Sequence, residues 1–406
     1  MNKYIEQFKD NIFDGIFSVR SKKIQYVDFF AGCGGMSYGF HQAGMLTGKM
    51  KNVGAFDFDK NANLTFSKNF GFAPTEIDIG NSSVQDIKIL MKKNDYDEKL
   101  PLIVIGCAPC QGFSSHRKKD SRLDKRNSLV GKFAEIAVGL NADFIVMENV
   151  PDLLAKKHQH HFDEFRSILD KNGYKLSVKI LNMSEYGVPQ ARFRTVALAS
   201  KNYFPSMPPF INKVGQQYTV RDAIGHLPNL KVGQITLGDS MHITSRHRPE
   251  TIEILKKVPI NGGSRPAGVG PLCLDRVAGF YDVYGRLAWD KPSITITARC
   301  RTPSCGRFAH PDQNRGLSVR EAALLQGFPP DFVFEGPFDD KYKQIGNAVP
   351  PLFSKVLARH VIGLMVGKVK PLVDESCLDY GTFDSYSSII AHVKNRGFKS
   401  GLLSIP

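Results

Sequence analysis

Residues 27–35 read Val-Asp-Phe-Phe-Ala-Gly-Cys-Gly-Gly, an apolar run that ends in a glycine-rich turn. A helix is expected to begin near Met36, which gives the strand–turn–helix order of nucleotide-binding α/β folds. The dinucleotide fingerprint G-x-G-x-x-G is incomplete, because Ser37 stands where its third glycine belongs. A simple tight turn is the alternative that this stretch alone leaves open.

Further short apolar runs follow along the chain, and helix-like stretches separate most of them. We interpret as strands residues 24–30, 53–58, 102–105, 144–147 and 195–198. This alternation predicts an α/β fold of Rossmann-like type, with a mostly parallel sheet covered by helices on both faces. Ligands of such folds bind beyond the carboxyl ends of the strands, where most of the polar motifs of this chain fall.

The composition is that of a globular protein with a basic surface. A length of 406 residues with 42% hydrophobic residues allows two or three domains and a sizeable core. The net charge of +15 favours a polyanionic partner, nucleic acid being the commonest, although a merely basic solvated surface gives the same charge. Without a signal peptide at its start or a run of eighteen apolar residues, the chain is expected in the cytoplasm and not in a membrane.

The cysteines indicate neither disulfides nor a metal. Seven cysteines scattered through a large chain do not form a disulfide framework. Cys300, Cys305 and His310 match no common zinc spacing, so we expect packing cysteines, a surface histidine and no metal.

The texture of the sequence divides the chain into four parts. Residues 1–199 carry the strand–helix alternation, and residues 200–336 are predicted to form a smaller, irregular domain rich in loops, Arg and His. Residues 337–366 contain an amphipathic helix expected to pack back on the first domain. Residues 367–406 form a C-terminal extension to which the sequence assigns no role.

Carboxylates follow the next strands in the positions that a nucleoside requires. Asp57 and Asp59 lie about twenty residues after the glycine turn, where a carboxylate accepts hydrogen bonds from ribose hydroxyls. Asp78, near a further strand end, can accept from an adenine amine. Because no pyrophosphate site is strongly required, S-adenosylmethionine fits better than NAD. Surface carboxylates beside a tight turn are the alternative.

Residues 105–114 read Ile-Gly-Cys-Ala-Pro-Cys-Gln-Gly-Phe-Ser and place Cys110 on a loop directly after an apolar run. A thiol in this position is a candidate nucleophile, activated where cationic groups or N–H donors lower its pKa. Cys107 and Cys110 also form a C-x-x-C pair. Thiol redox chemistry is the weaker interpretation, because Gly112 and the charged residues after it predict a loop and not a redox helix.

A carboxylate and two guanidiniums stand at two further strand ends. A thiolate that adds to C6 of cytosine makes C5 reactive towards a methylsulfonium. Glu148 at N3 would offset the charge that builds up, and Arg194 would bind O2. Arg192 would hold the adjacent phosphate or orient Glu148. Alternatively, Glu148 is a carboxylate at a helix N-terminus, and Arg192 and Arg194 lie on the exposed face of a strand. Each alternative is reasonable alone, but the two together are a poor explanation.

In their order along the chain, these motifs resemble those of the 5-methylcytosine-forming DNA methyltransferases of bacterial restriction–modification type. The match runs over about residues 23–351 and comprises residues 28–35, 109–111, 148–150, 190–194, 320–329 and 344–350. The resemblance implies an S-adenosylmethionine-dependent methyltransferase domain with a mostly parallel sheet, followed by a smaller irregular target-recognition domain.

The resemblance also implies roles for single residues, with Cys110 as nucleophile, Glu148 at N3 and Arg194 at O2. Two departures stand out: residues 106–110 read Gly-Cys-Ala-Pro-Cys where the family usually has Gly-Gly-Pro-Pro-Cys, and Asp57 replaces a frequent Glu. The implied cofactor pocket is formed by Phe30, Gly32, Gly34, Asp57, Phe58, Asp78, Pro109, Leu129, Asn347 and Ala348.

The expected substrate is double-stranded DNA, read by a recognition segment at about residues 203–290. Base readout in a groove needs side chains such as Arg, and a base inside a duplex must be extruded before it reacts. The loop of residues 111–124 is expected to close on the DNA and grip phosphate, unless it is only a disordered basic loop. Its expected DNA contacts are Gln111, Ser114, His116, Arg117 and Lys118.

We expect a monomer that protects bacterial DNA from a cognate restriction endonuclease without a stable complex. A tRNA methyltransferase is the nearest alternative, but the RNA-acting members carry a Cys-Phe-Thr motif that this chain lacks. A catalytically silent DNA-binding protein is a third, disfavoured by the intact Cys110, Glu148 and Arg194.

Overall fold

The computed structural model describes residues 2–19, 21–109, 128–212, 216–276, 282–374 and 383–399, the last five of these for the backbone only. The chain divides into two compact units. The sheet unit comprises Asn11–Asn182, Phe193–Phe210 and Phe353–Pro406, and the loop-rich unit comprises Met1–Asp10, Met183–Arg192 and Ile211–Leu352. The border between the two units follows residue 352, inside the predicted segment of residues 337–366, and the first ten residues belong to the loop-rich unit.

The sheet unit is built on a mixed sheet with the strand order β3-β2-β1-β4-β5-β7-β6. All pairings from β3 through β5 are parallel, whereas β7 runs antiparallel to both of its neighbours. The predicted mostly parallel, Rossmann-like sheet is therefore confirmed. The strands are β1 Ile24–Phe29, β2 Met50–Asp57, β3 Thr75–Glu76, β4 Leu102–Gly106, β5 Phe144–Asn149, β6 Lys175–Asn182 and β7 Phe193–Ser200.

Helices cover the sheet, and their ends follow ordinary capping chemistry. The side chain of Asp59 accepts from the N–H groups of Asn61 and Ala62 at the start of α3 (Lys60–Phe70). Ser83 forms a capping box with Asp86 at the start of α4 (Val84–Lys92). The helices of this unit are α2 Ser37–Thr47, α3 Lys60–Phe70, α4 Val84–Lys92, α5 Leu129–Gly139, α6 Gln159–Lys171, α12 Pro351–Met365, which begins in the loop-rich unit, and α13 Tyr386–Lys399.

The core of the sheet unit lies between the central strands and the helices. Every residue of β1, β4 and β5 is buried, and Phe29 stacks on Phe56 and meets Phe133 edge-on. Burial of large apolar side chains from both layers is the main stabilising contribution to such a domain. It also fixes where the strands end.

The loop-rich unit is held together by buried polar side chains as well as by apolar contacts. Arg315 and Glu321 form a buried bidentate pair with both N–O distances at 2.7 Å. Glu321 also forms, with Ser318, the capping box at the start of α10 (Val319–Leu325). Its elements are α1 Lys3–Glu6, α7 Val220–Ile224, β8 Ile235–Thr236, β9 Asp239–Ile243, α8 Pro249–Lys257, α9 Cys273–Arg276, α10 Val319–Leu325 and α11 Phe338–Asn347.

His310 is not the surface residue that we expected. It is buried, and its Nδ1 accepts from the backbone N–H groups of Asp312 and Gln313. Burial lowers its pKa to about 4. Across the described ranges, His, Cys, Asp and Glu side chains nowhere gather in a group of three that suits a metal ion. The helices of the same ranges include none with the length and apolar character needed to cross a bilayer.

The strand order reverses between β1 and β4. The chain adds β2 and β3 on one side of β1 and then adds β4 and β5 on the other side. In open α/β sheets, ligands bind at the carboxyl ends of the strands next to such a switch point. Because β7 is antiparallel to β5, its first residues lie at this same edge, with Asn149 opposite Thr195. We call this the carboxyl edge of the sheet unit.

Candidate active site

The glycine turn after β1 forms one side of the carboxyl edge. Phe30, Gly32 and Gly34 all have positive φ angles, of 58°, 54° and 95°. A side chain at Gly34 would collide with the ring of Phe70 at 2.2 Å, whereas a Cβ at Gly32 would meet nothing within 4 Å. Gly34 therefore serves the packing of the turn, and Gly32 faces open space. The left-handed backbone of Phe30 is unusual for a residue with a side chain and is typical of functional loops.

Asp57, the last residue of β2, is hydrogen-bonded to this turn. Its Oδ2 accepts from the Gly32 N–H at 2.8 Å and its Oδ1 from the Asp59 N–H at 2.8 Å. Burial raises the pKa of Asp57, and these backbone hydrogen bonds oppose that rise. A carboxylate has about four acceptor positions, and the Phe58 backbone also donates to Asp57, so Asp57 can bind the turn and still accept from a hydroxyl.

Asp28 is a buried acid beneath the turn to which sequence reasoning assigned no role. The Ser37 hydroxyl donates to its Oδ2 at 2.6 Å, while its Oδ1 is buried with no hydrogen-bond partner among the described residues. Burial raises the pKa of Asp28 to about 8. An acidic residue inside an apolar strand was the signal that marked this position in the sequence.

The remaining predicted cofactor residues of the sheet unit lie around the ends of β2, β3 and β4. Phe58 follows Asp57 and is 64% exposed. Asp78 is exposed, and its carboxylate accepts from the Gly80 N–H at 3.0 Å and the Asn81 side chain at 2.7 Å. A Cβ at Gly80 would lie 3.1 Å from Leu129, so the side chains of Leu129 and Asp78 flank that glycine. Pro109 is partly buried after β4.

Glu148 and Arg194 meet at the carboxyl edge. Antiparallel pairing places Glu148 of β5 opposite Val196 of β7, two residues after Arg194. The Arg194 Nε lies 3.0 Å from the Glu148 Oε1, with side-chain exposures of only 11% and 8%. Arg194 also donates from Nη1 to the Phe193 carbonyl at 2.7 Å. The sequence assigned the two side chains to different atoms of a base and did not predict that they contact each other.

Asn149 is a positioning residue that sequence reasoning missed. Its Nδ2 donates to the Ala108 carbonyl at 3.2 Å, and its Oδ1 accepts from the Val150 N–H. The side chain thereby ties the end of β5 to the segment that follows β4. This segment leads directly to Cys110. An amide beside a candidate catalytic carboxylate was the available signal.

Arg192, which the sequence predicts to hold the adjacent phosphate or to orient Glu148, lies in the loop-rich unit. Its side chain is buried, donating from Nη1 to the Ile296 carbonyl at 3.0 Å and from Nη2 to the carbonyls of Gly346 and Ala348 at 3.2 and 3.3 Å. Arg192 therefore binds together three segments of the loop-rich unit. Asn347 is exposed at the end of α11 in that unit.

Six predicted site residues lie outside the described part of the chain: Cys110, Gln111, Ser114, His116, Arg117 and Lys118. The described residues of the carboxyl edge thus comprise a glycine turn, a carboxylate with a free acceptor position, an exposed aromatic ring and a carboxylate–guanidinium pair. Such a set can hold a nucleoside and stabilise charge on a neighbouring polar ring.

Comparisons with known proteins show to which family the chain is related. The family model described as C-5 cytosine-specific DNA methylase matches residues 24–363. The type II methylase M.HgiDII of Herpetosiphon aurantiacus is 33% identical, over 84% of this chain and 96% of that protein. The type II methyltransferase M1.HphI of Haemophilus parahaemolyticus is also 33% identical, over 84% and 87% respectively.

A solved structure supports the fold independently. It is described as a candidate DNA modification methyltransferase encoded within an E. coli prophage, and it aligns with a TM-score of 0.66 at 22% identity. The alignment covers 84% of this chain and 99% of that chain. At this level of identity, the likeness concerns the fold alone.

Proposed function

Since the chain belongs to the C-5 cytosine-specific DNA methylase family and is an S-adenosylmethionine-dependent DNA cytosine-5 methyltransferase, we propose that it acts through a covalent bond between Cys110 and C6 of an extruded cytosine. The single observation that carries this proposal is the Glu148–Arg194 pair at the carboxyl edge. A largely buried ion pair at a ligand-binding edge costs desolvation, which a role in charge stabilisation explains.

The sheet unit supplies residues that suit the cofactor. Gly32 faces open space, Asp57 has an acceptor position for a ribose hydroxyl, and the exposed ring of Phe58 offers a face to an adenine. Asp78 and Leu129 would line the far end of the same site. When bound, S-adenosylmethionine supplies an electrophilic methyl group on a sulfonium.

The proposed chemistry begins with the Cys110 thiolate, whose electron pair forms the S–C6 bond while the C5–C6 π electrons become available at C5. As the sulfur adds, negative charge builds on N3 and O2 of the ring. The Arg194 guanidinium would donate to O2, and the Glu148 carboxyl would share a proton with N3. C5 would then bond to the methyl group, and the electrons of the broken S–CH3 bond would stay with the donor sulfur, which leaves as a neutral thioether. A base takes the C5 proton, the C5–H electrons form the C5–C6 double bond, the S–C6 electrons return to the Cys110 sulfur as the free thiolate, and N3 gives its proton back to Glu148.

Target recognition is proposed for residues 200–336. These residues contain an open pocket of about 500 Å³ that includes Arg286, Asp290, Lys291 and Arg307 in its lining. Arg307 also donates to three backbone carbonyls, which holds its guanidinium in a fixed orientation. Charged groups of fixed geometry suit the readout of base edges in a groove.

The biological role that we propose is protection of bacterial DNA, in the cytoplasm, against a cognate restriction endonuclease. The support is the description of the relatives as type II methylases. The enzyme would act as a monomer and form no stable complex with the nuclease.

The covalent step is tested with duplex DNA that carries 5-fluorocytosine at the target. Because fluorine cannot leave C5 as a proton does, the expected product with S-adenosylmethionine is an irreversible protein–DNA complex on a denaturing gel. Cys110→Ala should abolish both this complex and methyl transfer, with duplex binding retained. Cys107→Ala is the matched control and should behave as the wild type. Capture that survives Cys110→Ala would exclude the proposed nucleophile.

The substrate is tested separately by bisulfite sequencing of DNA from expressing cells, which identifies the modified cytosine and its sequence context. Methylation of tRNA without methylation of DNA would contradict the assignment.

A further inference from the structure

The C-terminal segment extends beyond the part of the chain that the family model matches, which ends at residue 363. It nevertheless contributes to the main core of the sheet unit. Ile389 and Ile390 of α13 are buried there, and Phe383, Tyr386 and Val393 pack against the same core. An isolated helix of this length is marginal in water, so α13 depends on this packing.

The position of α13 in the sheet unit is specific. It packs against the 3₁₀ helix Pro151–Leu154, which begins two residues after β5 ends. The Phe383 carbonyl accepts from the Lys156 N–H at 2.9 Å and fixes the approach of the chain to the helix. The buried side chains of Leu153 and Leu154 belong to the core that Ile389 and Ile390 join. The helix therefore supports the turn that follows Glu148.

The same helix reaches the start of β7. The Lys394 Nζ lies 5.7 Å from the ring centroid of Phe193. Phe193 directly precedes Arg194, and its carbonyl accepts from the Arg194 guanidinium. One helix thus contacts both the segment after Glu148 and the residue before Arg194.

We propose that α13 is a positioning element of the active site, which keeps the ends of β5 and β7 in the register that holds Glu148 and Arg194 at 3.0 Å. This inference rests on the proposed roles of those two residues. A misplacement of about 1 Å, even from a mutation far from the chemistry, can cost about 10²-fold in rate. A helix that only stabilised the fold would affect the amount of folded enzyme and not the rate of each folded molecule.

The test compares full-length variants of α13 by single-turnover methyl transfer to target DNA. Ile389→Ala removes a buried side chain next to the turn, and Ser387→Ala removes an exposed one from the same helix. With folding verified by circular dichroism well below each melting temperature, Ile389→Ala is expected to lower the rate constant roughly tenfold. The KM values for DNA and cofactor should stay close to wild type. Ile389→Val should restore most of the rate, and Ser387→Ala should leave it unchanged.

A second substitution serves if Ile389→Ala does not fold. Lys394→Met removes only the charge above Phe193 and is expected to lower the rate about two- to fivefold, the order of an exposed cation–π contact, whereas Lys394→Arg should retain it. Folded variants of Ile389 and Lys394 that all transfer methyl groups at the wild-type rate would overturn the proposal. A rise in both KM values without a change in rate would do the same. Failure of the wild type to be captured by 5-fluorocytosine DNA is a different result, which would refute the covalent mechanism instead.

Discussion

Replacing Glu148 with Gln tests the charge at the active site with almost no change in shape. Gln keeps an oxygen within reach of the Arg194 Nε but carries neither a charge nor an acidic proton. At the observed 3.0 Å, and with an effective dielectric constant of about 20, the ion pair is attracted by roughly 5 kcal/mol before desolvation is subtracted. Loss of a positioned acid–base group typically costs about 10²–10⁴-fold in rate, or about 3–5 kcal/mol.

The expected result is therefore a fall of about 10²–10⁴-fold in the single-turnover rate, with binding of the duplex and of S-adenosylmethionine retained. Because the attraction itself is of the order of 5 kcal/mol, a larger fall would require a second cause such as local unfolding. Glu135→Gln is the matched control, since Glu135 makes an exposed ion pair with Lys132 on α5. Exposed pairs contribute little, so its rate should be unchanged.

A double-mutant cycle with Arg194→Met then asks whether the two side chains act as one unit. If they do, the double variant should be hardly slower than the worse single variant, because groups that act together are strongly non-additive. A Glu148→Gln enzyme that transfers methyl groups at the wild-type rate would refute the reasoning. Strictly additive effects would leave each residue a role but remove the link between them.

Other predictions concern stability and binding. Arg315→Ala should destabilise the protein by about 3–5 kcal/mol at pH 7 in chemical denaturation, because it removes the guanidinium that pairs with the buried Glu321 carboxylate. Burial alone would raise the pKa of Glu321, but the hydrogen bonds from Arg315 outweigh it and lower the pKa to about 2. The stability that this pair contributes is present above pH 4.5, the unfolded pKa, and is lost as the pH falls towards 2. If Arg315→Ala lowered the free energy of unfolding equally at pH 7 and pH 2.5, the prediction would be wrong. Burial raises the pKa of Asp28 from 3.8, its unfolded value, to about 8. The contribution of Asp28 to the free energy of unfolding is therefore fully present below pH 3.8 and is lost as the pH rises through 8. Between pH 5 and 9, the melting temperature of Asp28→Asn should depend less on pH than that of the wild type. The same pH dependence in both proteins would contradict a raised pKa of Asp28. DNA binding should weaken steeply with salt, with a logarithmic slope of about −0.9 per phosphate contact, and a flat response would argue against a DNA substrate. Arg192→Lys should lower the melting temperature, because Arg192 binds backbone carbonyls, and should leave the salt dependence of DNA binding unchanged. A weaker salt dependence in this variant would indicate that Arg192 contacts a phosphate.

The sequence predicted the parts of the fold that depend on local chemistry. The glycine turn is one such part, because Gly32 and Gly34 have positive φ angles and glycine, which lacks a Cβ, adopts them without steric strain. Apolar runs identified five of the seven described strands of the sheet. They missed β6, where Lys175 and Lys179 interrupt the apolar pattern of a strand with exposed positions. They also missed β3, whose two residues are too short to form a pattern.

Arg192 and Arg194 mark the limit of local reasoning. They lie two residues apart in one motif, and the sequence assigned Arg194 to O2 of the base and Arg192 to a phosphate or to orienting Glu148. In the structure Arg192 belongs to the loop-rich unit and binds carbonyls of residues more than one hundred positions later, whereas Arg194 is the second residue of the antiparallel strand that pairs with β5. Only tertiary contacts separate the two roles, and no periodicity in the sequence records such contacts. The same reason hides α13, whose packing partners precede it by more than two hundred residues.

Side-chain links between neighbouring strand ends explain how the carboxyl edge keeps its shape without regular backbone pairing. Asp57 joins the end of β2 to the turn after β1, Asn149 joins the end of β5 to the segment after β4, and Glu148 joins β5 to the start of β7. Electrostatic catalysis requires donors and charges that are oriented before the substrate arrives. Backbone hydrogen bonds end where the strands end, so orientation there must come from such side chains. Each of the three is polar and each follows or ends an apolar run, which is why the sequence marks the edge even though it does not record which strand ends are linked.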